Sequence, residues 1–127
     1  MKELSDAPDV AEFLPKTEEE YSAFRFVAIT AGITEEIMFR GYLIWGLSFW
    51  MDAWLAALLS LTAFTLGHLY QSNKTAVIRV AGVGAALTLL YMLSGSLLAA
   101  IILHAVIDLT SGATCWHARK TAAAQPA

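Results

Sequence analysis

The sequence predicts an all-α fold, a polytopic membrane bundle of about four transmembrane helices that is either whole or the core of a larger bundle. Hydrophobic residues make up 57% of the 127-residue chain, more than the 45–50% or so typical of a soluble domain. Residues 53–73 and 80–107 contain no Asp, Glu, Lys or Arg, and each stretch is long enough to cross roughly 30 Å of hydrocarbon as a helix. No proline lies between Pro15 and Pro126, and apolar residues do not alternate with period two, so helices are predicted and strands are not.

A polar lead-in over residues 1–23 precedes the apolar segments, and Pro8 interrupts it. Within it, Thr17 followed three residues later by Glu20 is typical of a helix N-cap. Turn-forming or polar residues in "WMDAW", "YQSNKTAVIR" and "SGS" then separate the predicted apolar helices. These helices cover residues 26–49, 53–70, 77–93 and 97–113, and a polar tail follows over residues 114–127.

Small residues are concentrated in the third predicted helix, "AGVGAALTLLYMLSGSL". Gly82 and Gly84 carry no side chain, so a neighbouring helix can come close to the backbone there. The sequence therefore predicts tight helix packing at both glycines.

The distribution of lysine and arginine predicts the orientation in the membrane. With four crossings, the two termini and the 71–79 loop lie on one side, and the "WMDAW" and "SGS" loops on the other carry no Lys or Arg. The positive-inside rule then places both termini of a multi-pass protein in the cytoplasm, and the membrane is expected to be a bacterial plasma membrane. The cations on the cytoplasmic side are Lys2, Lys16, Arg25, Lys74, Arg79, Arg119 and Lys120.

Composition also excludes two classes of protein. Cys115 is the chain's one cysteine, so no disulfide framework forms within the chain. No basic patch with interleaved aromatic residues is present, so nucleic acid is not an expected partner.

Ionisable residues inside the predicted helices identify a candidate site, because each costs several kcal/mol in a membrane unless it is paired or hydrated. Glu36 and Arg40 are four residues apart and share a helix face, as do His104 and Asp108. Glu35 lies roughly 14 Å from the cytoplasmic end of its helix, a depth similar to that of His104. Three helices thus place polar groups in the same half of the membrane. The full set is Glu35, Glu36, Arg40, His68, His104 and Asp108.

Two chemistries suit this set. Zinc accepts histidine nitrogen and carboxylate oxygen in a tetrahedral shell, with Glu35, His68, His104 and Asp108 as the available ligands. Without a metal, a carboxylate can activate water as a general base, and histidine can stabilise an oxyanion. The sequence leaves both open. Covalent catalysis is disfavoured, since no serine lies in a nucleophile-elbow context.

Three motifs occur in order: "EEIMFR", "FTLGH" and "HAVID". They resemble the E-E-x-x-x-R, F-x-x-x-H and H-x-x-x-N/D motifs of the CPBP family of intramembrane proteases. This family includes the type II CAAX prenyl endopeptidases and proteins similar to lysostaphin resistance protein A. The resemblance covers about residues 14–112 and implies a protease core over residues 24–113.

The resemblance implies a glutamate-type endopeptidase, with or without a metal, that cuts a peptide bond near the cytoplasmic face. Glu35 would activate the attacking water, and His68 would share that water. His104 and Asp108 would stabilise the oxyanion. The resemblance also gives three residues supporting roles, two in an ion pair that holds the first helix and one that packs beside the site: Glu36, Arg40 and Phe64.

Two features depart from the family. The prenyl endopeptidases carry Asn where this chain has Asp108, and an ionised aspartate cannot donate a hydrogen bond. Family members also usually have transmembrane helices before the first motif. Both features concern how a substrate is recognised and held. The substrate is expected to be a peptide or protein, and the chain is expected to contact the lipid bilayer.

Two other functions fit the same residues. One is a non-catalytic membrane protein on this scaffold, such as a bacteriocin self-immunity or partner-binding factor. The other is an ion or proton carrier, which is disfavoured because the polar groups lie in one half of the bilayer and form no path across it.

Overall fold

The computed structural model describes residues 15–69 and 74–123, and these residues form helices and no strands. The first helix is continuous but has three parts, of which the middle one is a π-helix. Two further helices pack as an antiparallel pair, and a long last helix packs along the first. The elements are α1 (Glu18–Glu36), the π-helix (Ile37–Leu43), α2 (Ile44–Leu47), α3 (Ala53–Gly67), α4 (Lys74–Ser94) and α5 (Leu97–Ala123). The all-α prediction is confirmed.

The first helix begins where the capping pattern predicts, earlier than the apolar segment that starts at residue 26. Thr17 is the N-cap, and its hydroxyl oxygen accepts a hydrogen bond of 3.1 Å from the Glu20 backbone N–H. The Glu20 carboxylate in turn accepts one of 2.6 Å from the Lys16 backbone N–H. Residues 18–23 of the predicted lead-in are therefore helical, while residues 1–14 lie outside the described part of the chain.

The last helix extends further than predicted, because its polar end packs against the start of α1. The Trp116 ring stacks on Tyr21 at a centroid distance of 5.1 Å, and Lys120 pairs with Glu18. Residues 114–123, predicted as a polar tail, are thus the end of α5. Residues 124–127 are not among those described.

The π-helix interrupts what was predicted as one regular helix over residues 26–49. It begins directly after Glu36 and contains Arg40. The hydroxyl of Ser60 on α3 donates a 2.7 Å hydrogen bond to the Phe39 carbonyl within it. Such wide turns are rare and often occur at functional sites.

The surface of the bundle is strongly apolar, as expected of helices in contact with lipid. Large side chains such as Phe26, Leu93 and Ile78 are more than 70% exposed. Within the described residues, α4 and α5 are long and apolar enough to cross a membrane, and α3 is a shorter apolar helix. Four membrane-crossing helices were predicted, and two of the described helices are long and apolar enough to cross a membrane.

Only one of the two predicted close approaches on α4 occurs. A methyl group added at Gly84 would come within 2.9 Å of side-chain carbons of Leu61 and Phe64 on α3. Gly82 has no atom within 4 Å of the same position, because two residues along a helix correspond to roughly 200° of rotation. The prediction is therefore wrong for Gly82.

We expect Gly84→Ala to lower the free energy of unfolding by about 1–3 kcal/mol, because the methyl group overpacks the α3–α4 contact. Gly82→Ala is the matched control and should be neutral or stabilising by up to about 1 kcal/mol, since alanine favours the helix. Thermal unfolding of the two variants in the same detergent measures the difference. Equal melting temperatures would contradict the packing described.

Candidate active site

A cavity of about 820 Å³ opens between α1, the end of α3, α4 and α5. Glu35, His68, His104 and Asp108, the four residues predicted as catalytic, all line it, together with Phe64. The structure thus brings together side chains from three separate segments. Glu36 and Arg40 are buried behind the cavity and are not part of its lining.

Glu35 faces both histidines across the cavity. Its Oε2 lies 4.0 Å from His68 Nε2 and 3.9 Å from His104 Nε2. These distances are too long for direct hydrogen bonds. A single water molecule, at about 2.8 Å from each of two atoms, spans such a gap.

The end of α3 fixes the orientation of His68. This residue is the C-cap of the helix, and its Nδ1 lies 2.8 Å from the Phe64 carbonyl oxygen. A carbonyl oxygen can only accept a hydrogen bond, so Nδ1 carries the ring proton and is the donor. In the neutral ring, Nε2 therefore presents its lone pair toward Glu35.

Glu36 holds His104 from the opposite side. Its Oε1 lies 2.7 Å from His104 Nδ1, and the carboxylate accepts this hydrogen bond. The other ring nitrogen, Nε2, faces the cavity, where Asp108 Oδ2 lies 3.6 Å away. Glu36 is fully buried, so the orientation of the His104 ring is set by a group that solvent does not reach.

The predicted ion pair between Glu36 and Arg40 is present, with Arg40 Nη1 at 2.9 Å from Glu36 Oε1. Arg40 is 1% exposed and also binds α4, donating from Nη2 to the Gly84 carbonyl at 2.9 Å and from Nε to the Thr88 hydroxyl at 3.4 Å. Among the described residues, Glu36 Oε2 has no hydrogen-bond partner. One buried arginine thus connects the π-helix, α4 and the carboxylate behind His104.

Phe64 packs between these groups, as predicted. Its ring is 4.6 Å from the His68 ring and 6.4 Å from the His104 ring, centroid to centroid. The Arg40 guanidinium carbon lies 4.5 Å from the same centroid, within the range of a cation–π contact. Phe64 therefore separates the open cavity from the buried ion pair.

In this structure the cavity side chains are not arranged as a zinc site. No group of three or more His, Cys, Asp and Glu side chains in residues 15–69 and 74–123 is arranged to hold a metal ion. The donor atoms of Glu35, His104 and Asp108 are separated by 3.6 and 3.9 Å. A tetrahedral shell with zinc–ligand bonds of 2.0–2.2 Å places its donor atoms about 3.3–3.6 Å apart, and the 3.9 Å between Glu35 and His104 exceeds this range.

Two features of the site were not predicted. The contact between Glu36 and His104 joins residues far apart in sequence, and no spacing rule indicates it. The cavity is also lined by Lys16, Glu20 and Arg79, which were predicted as cytoplasmic-side cations and, for Glu20, as part of the helix N-cap.

Comparison with known families agrees with the motifs. The model of the family described as "Type II CAAX prenyl endopeptidase Rce1-like" matches residues 18–110, which include every candidate site residue. No curated protein and no solved structure matches the chain. The family is one of membrane-embedded proteases, and together with the apolar helices α4 and α5 it assigns the chain to a membrane. The chain belongs to the type II CAAX prenyl endopeptidase Rce1-like family.

Proposed function

We propose that the chain is an intramembrane endopeptidase in which the Glu35 carboxylate activates water for attack on a peptide bond. The observation that carries this proposal is the convergence of Glu35 Oε2 and the two histidine Nε2 atoms within 4.0 Å across the cavity. A carboxylate next to a water-sized gap can act as a general base, and a histidine nitrogen can donate a hydrogen bond to the oxyanion that forms in peptide hydrolysis.

In the first step, a water molecule donates one hydrogen bond to Glu35 and the other to the lone pair of His68 Nε2. Its oxygen lone pair is then free to attack the carbonyl carbon of the substrate. Glu35 takes the proton, the new C–O bond forms, and the carbonyl electrons move to the oxygen as an oxyanion.

His104 stabilises that oxyanion from Nε2. Because Nδ1 already donates to Glu36, Nε2 can donate as well only when the ring is an imidazolium. Buried Glu36 and the nearby Asp108 offset this positive charge. An ionised Asp108 therefore acts through His104 and does not itself donate to the oxyanion.

The second step breaks the C–N bond. Protonated Glu35 returns its proton to the departing nitrogen, which leaves as an amine, while the oxyanion collapses to a carboxylic acid. The carboxylate of Glu35 is regenerated. No residue forms a covalent bond with the substrate.

Cleavage occurs near the cytoplasmic face in this proposal. The cavity extends to the start of α1 and the first turns of α4, where Pro15, Lys16, Glu20 and Arg79 line it. These residues lie at the end of the bundle that carries most of the described lysines and arginines, the end that the positive-inside rule places in the cytoplasm.

The test is cleavage of a peptide library by the full chain in lipid vesicles, with products identified by mass spectrometry. Lipidated and unmodified peptides are compared, so that the test also identifies the substrate class. New peptide termini that require the protein support the endopeptidase. Binding of peptides without any cleavage supports the non-catalytic partner-binding alternative.

A further inference from the structure

Helix α3 is markedly shorter than the helix it pairs with. α3 has 15 residues and α4 has 21, which correspond to lengths of about 22 Å and 32 Å at 1.5 Å per residue. A helix that spans roughly 30 Å of hydrocarbon needs about 20 residues. α4 meets that length and α3 does not.

Packing contacts give the register of the pair. Ala56 and Ala57 of α3 pack in the same cluster as Tyr91 and Met92 of α4. Further along, Gly84 lies against Leu61 and Phe64.

In this antiparallel register the start of α3 is level with the end of α4. The end of α3, at His68, is then level with Arg79, and both residues line the cavity. α4 continues beyond that level to Lys74.

One group at this level requires a polar environment. Arg79 is exposed and forms no ion pair within the described residues. Placing this exposed cation in lipid is strongly unfavourable, whereas a bilayer deforms at modest cost for each ångström of mismatch.

The other end of α3 carries the residues that favour a membrane interface. Trp50 is 86% exposed and Trp54 is 52% exposed, and exposed indoles concentrate at the level of lipid headgroups. From Trp54 to His68 the helix rises about 21 Å, and tilting would shorten this span further. The span of α3 is therefore about 9 Å shorter than a bilayer core of roughly 30 Å.

We propose that the α3–α4 side of the protein thins the bilayer beside it, drawing the lipid headgroups at the cavity end inward to the level of His68 and Arg79. The partner of this surface is the phospholipid bilayer itself. As a consequence, water reaches the cavity directly from the lipid–water interface. The inference rests on helix lengths and register, and it holds whether or not the protein cleaves peptides.

Thiol accessibility in vesicles tests the proposal. Cys115→Ser removes the one cysteine, and single cysteines are then introduced by Leu69→Cys and Ile78→Cys, at lipid-facing positions that are 52% and 71% exposed. Leu59→Cys, in the middle of α3 and 42% exposed, is the matched membrane-core control. His117→Cys, exposed at the same end of the bundle, is the aqueous reference.

Each variant of the full chain is reconstituted in dioleoylphosphatidylcholine vesicles and treated with a membrane-impermeant maleimide, which reacts with the hydrated thiolate. We expect Leu69→Cys and Ile78→Cys to react within about threefold of the His117→Cys rate, and Leu59→Cys to react at least about twentyfold more slowly, because hydrocarbon excludes the thiolate. Two probes at independent positions keep the test decisive if one variant fails to fold. Protection of both probes to the extent of Leu59→Cys would overturn the proposal, because the bilayer would then be undeformed.

Discussion

Glu35→Gln is expected to lower the rate of peptide hydrolysis by about a thousandfold, in the range that a general base contributes. The amide keeps the size and hydrogen-bonding reach of the side chain but cannot take a proton from water. Glu35 is partly exposed to the cavity, and its two histidine neighbours are 3.9 and 4.0 Å away. The protein should therefore remain folded, with the free energy of unfolding changed by less than about 0.5 kcal/mol.

Asp108→Asn is the matched control, because it converts a second cavity carboxylate to its amide. The Asp108 carboxylate lies 3.6 Å from His104 Nε2 and acts through that ring, so we expect a loss of about tenfold or less. The sequence resemblance points the same way, since the third motif of the family accepts Asn or Asp. Initial rates of library cleavage give both values. A larger loss in Asp108→Asn than in Glu35→Gln would contradict the assignment of the base.

Arg40→Met is expected to lower the free energy of unfolding by about 3–5 kcal/mol, the cost of leaving one member of a buried ion pair uncompensated. Methionine fills much of the space of the arginine stem but removes the hydrogen bonds to Glu36 and to the Gly84 carbonyl. The fully buried Glu36 carboxylate would keep His104 as its remaining described partner. The effect is measured by unfolding in mixed detergent micelles.

Arg25→Met provides the comparison for that measurement. Arg25 lies on α1, is exposed and forms no ion pair in residues 15–69 and 74–123. Its replacement should change stability by about 0.5 kcal/mol at most, as for other surface positions. If the two variants unfolded at the same detergent fraction, the buried network around Arg40 would not contribute as described.

The sequence was sufficient to predict the helices and the members of the polar cluster. Long stretches without charge or proline indicate helices whatever their partners are. The ion pair between Glu36 and Arg40 and the proximity of His104 to Asp108 follow from four-residue spacing within one helix. The Thr17 cap follows from local hydrogen bonding in the same way.

Features that depend on contacts between helices were not predictable. Gly82 and Gly84 are the same residue type in the same helix, and only the register of α4 against α3 decides which one packs against α3. The extension of α5 to Ala123 depends on Trp116 stacking against Tyr21, a residue at the far end of the chain. The contact of Glu36 with His104, which completes the site, is of the same kind.

In the proposed mechanism, water activated by Glu35 is the nucleophile. Cleavage of one peptide substrate in oxygen-18 water, under single-turnover conditions with the protein in excess over the peptide, identifies the source of the added oxygen. We expect the new carboxyl terminus to carry one oxygen-18 atom after that first turnover, as measured by mass spectrometry. An unlabelled terminus would contradict it, because the oxygen would then have come from a carboxylate of the protein acting as the nucleophile.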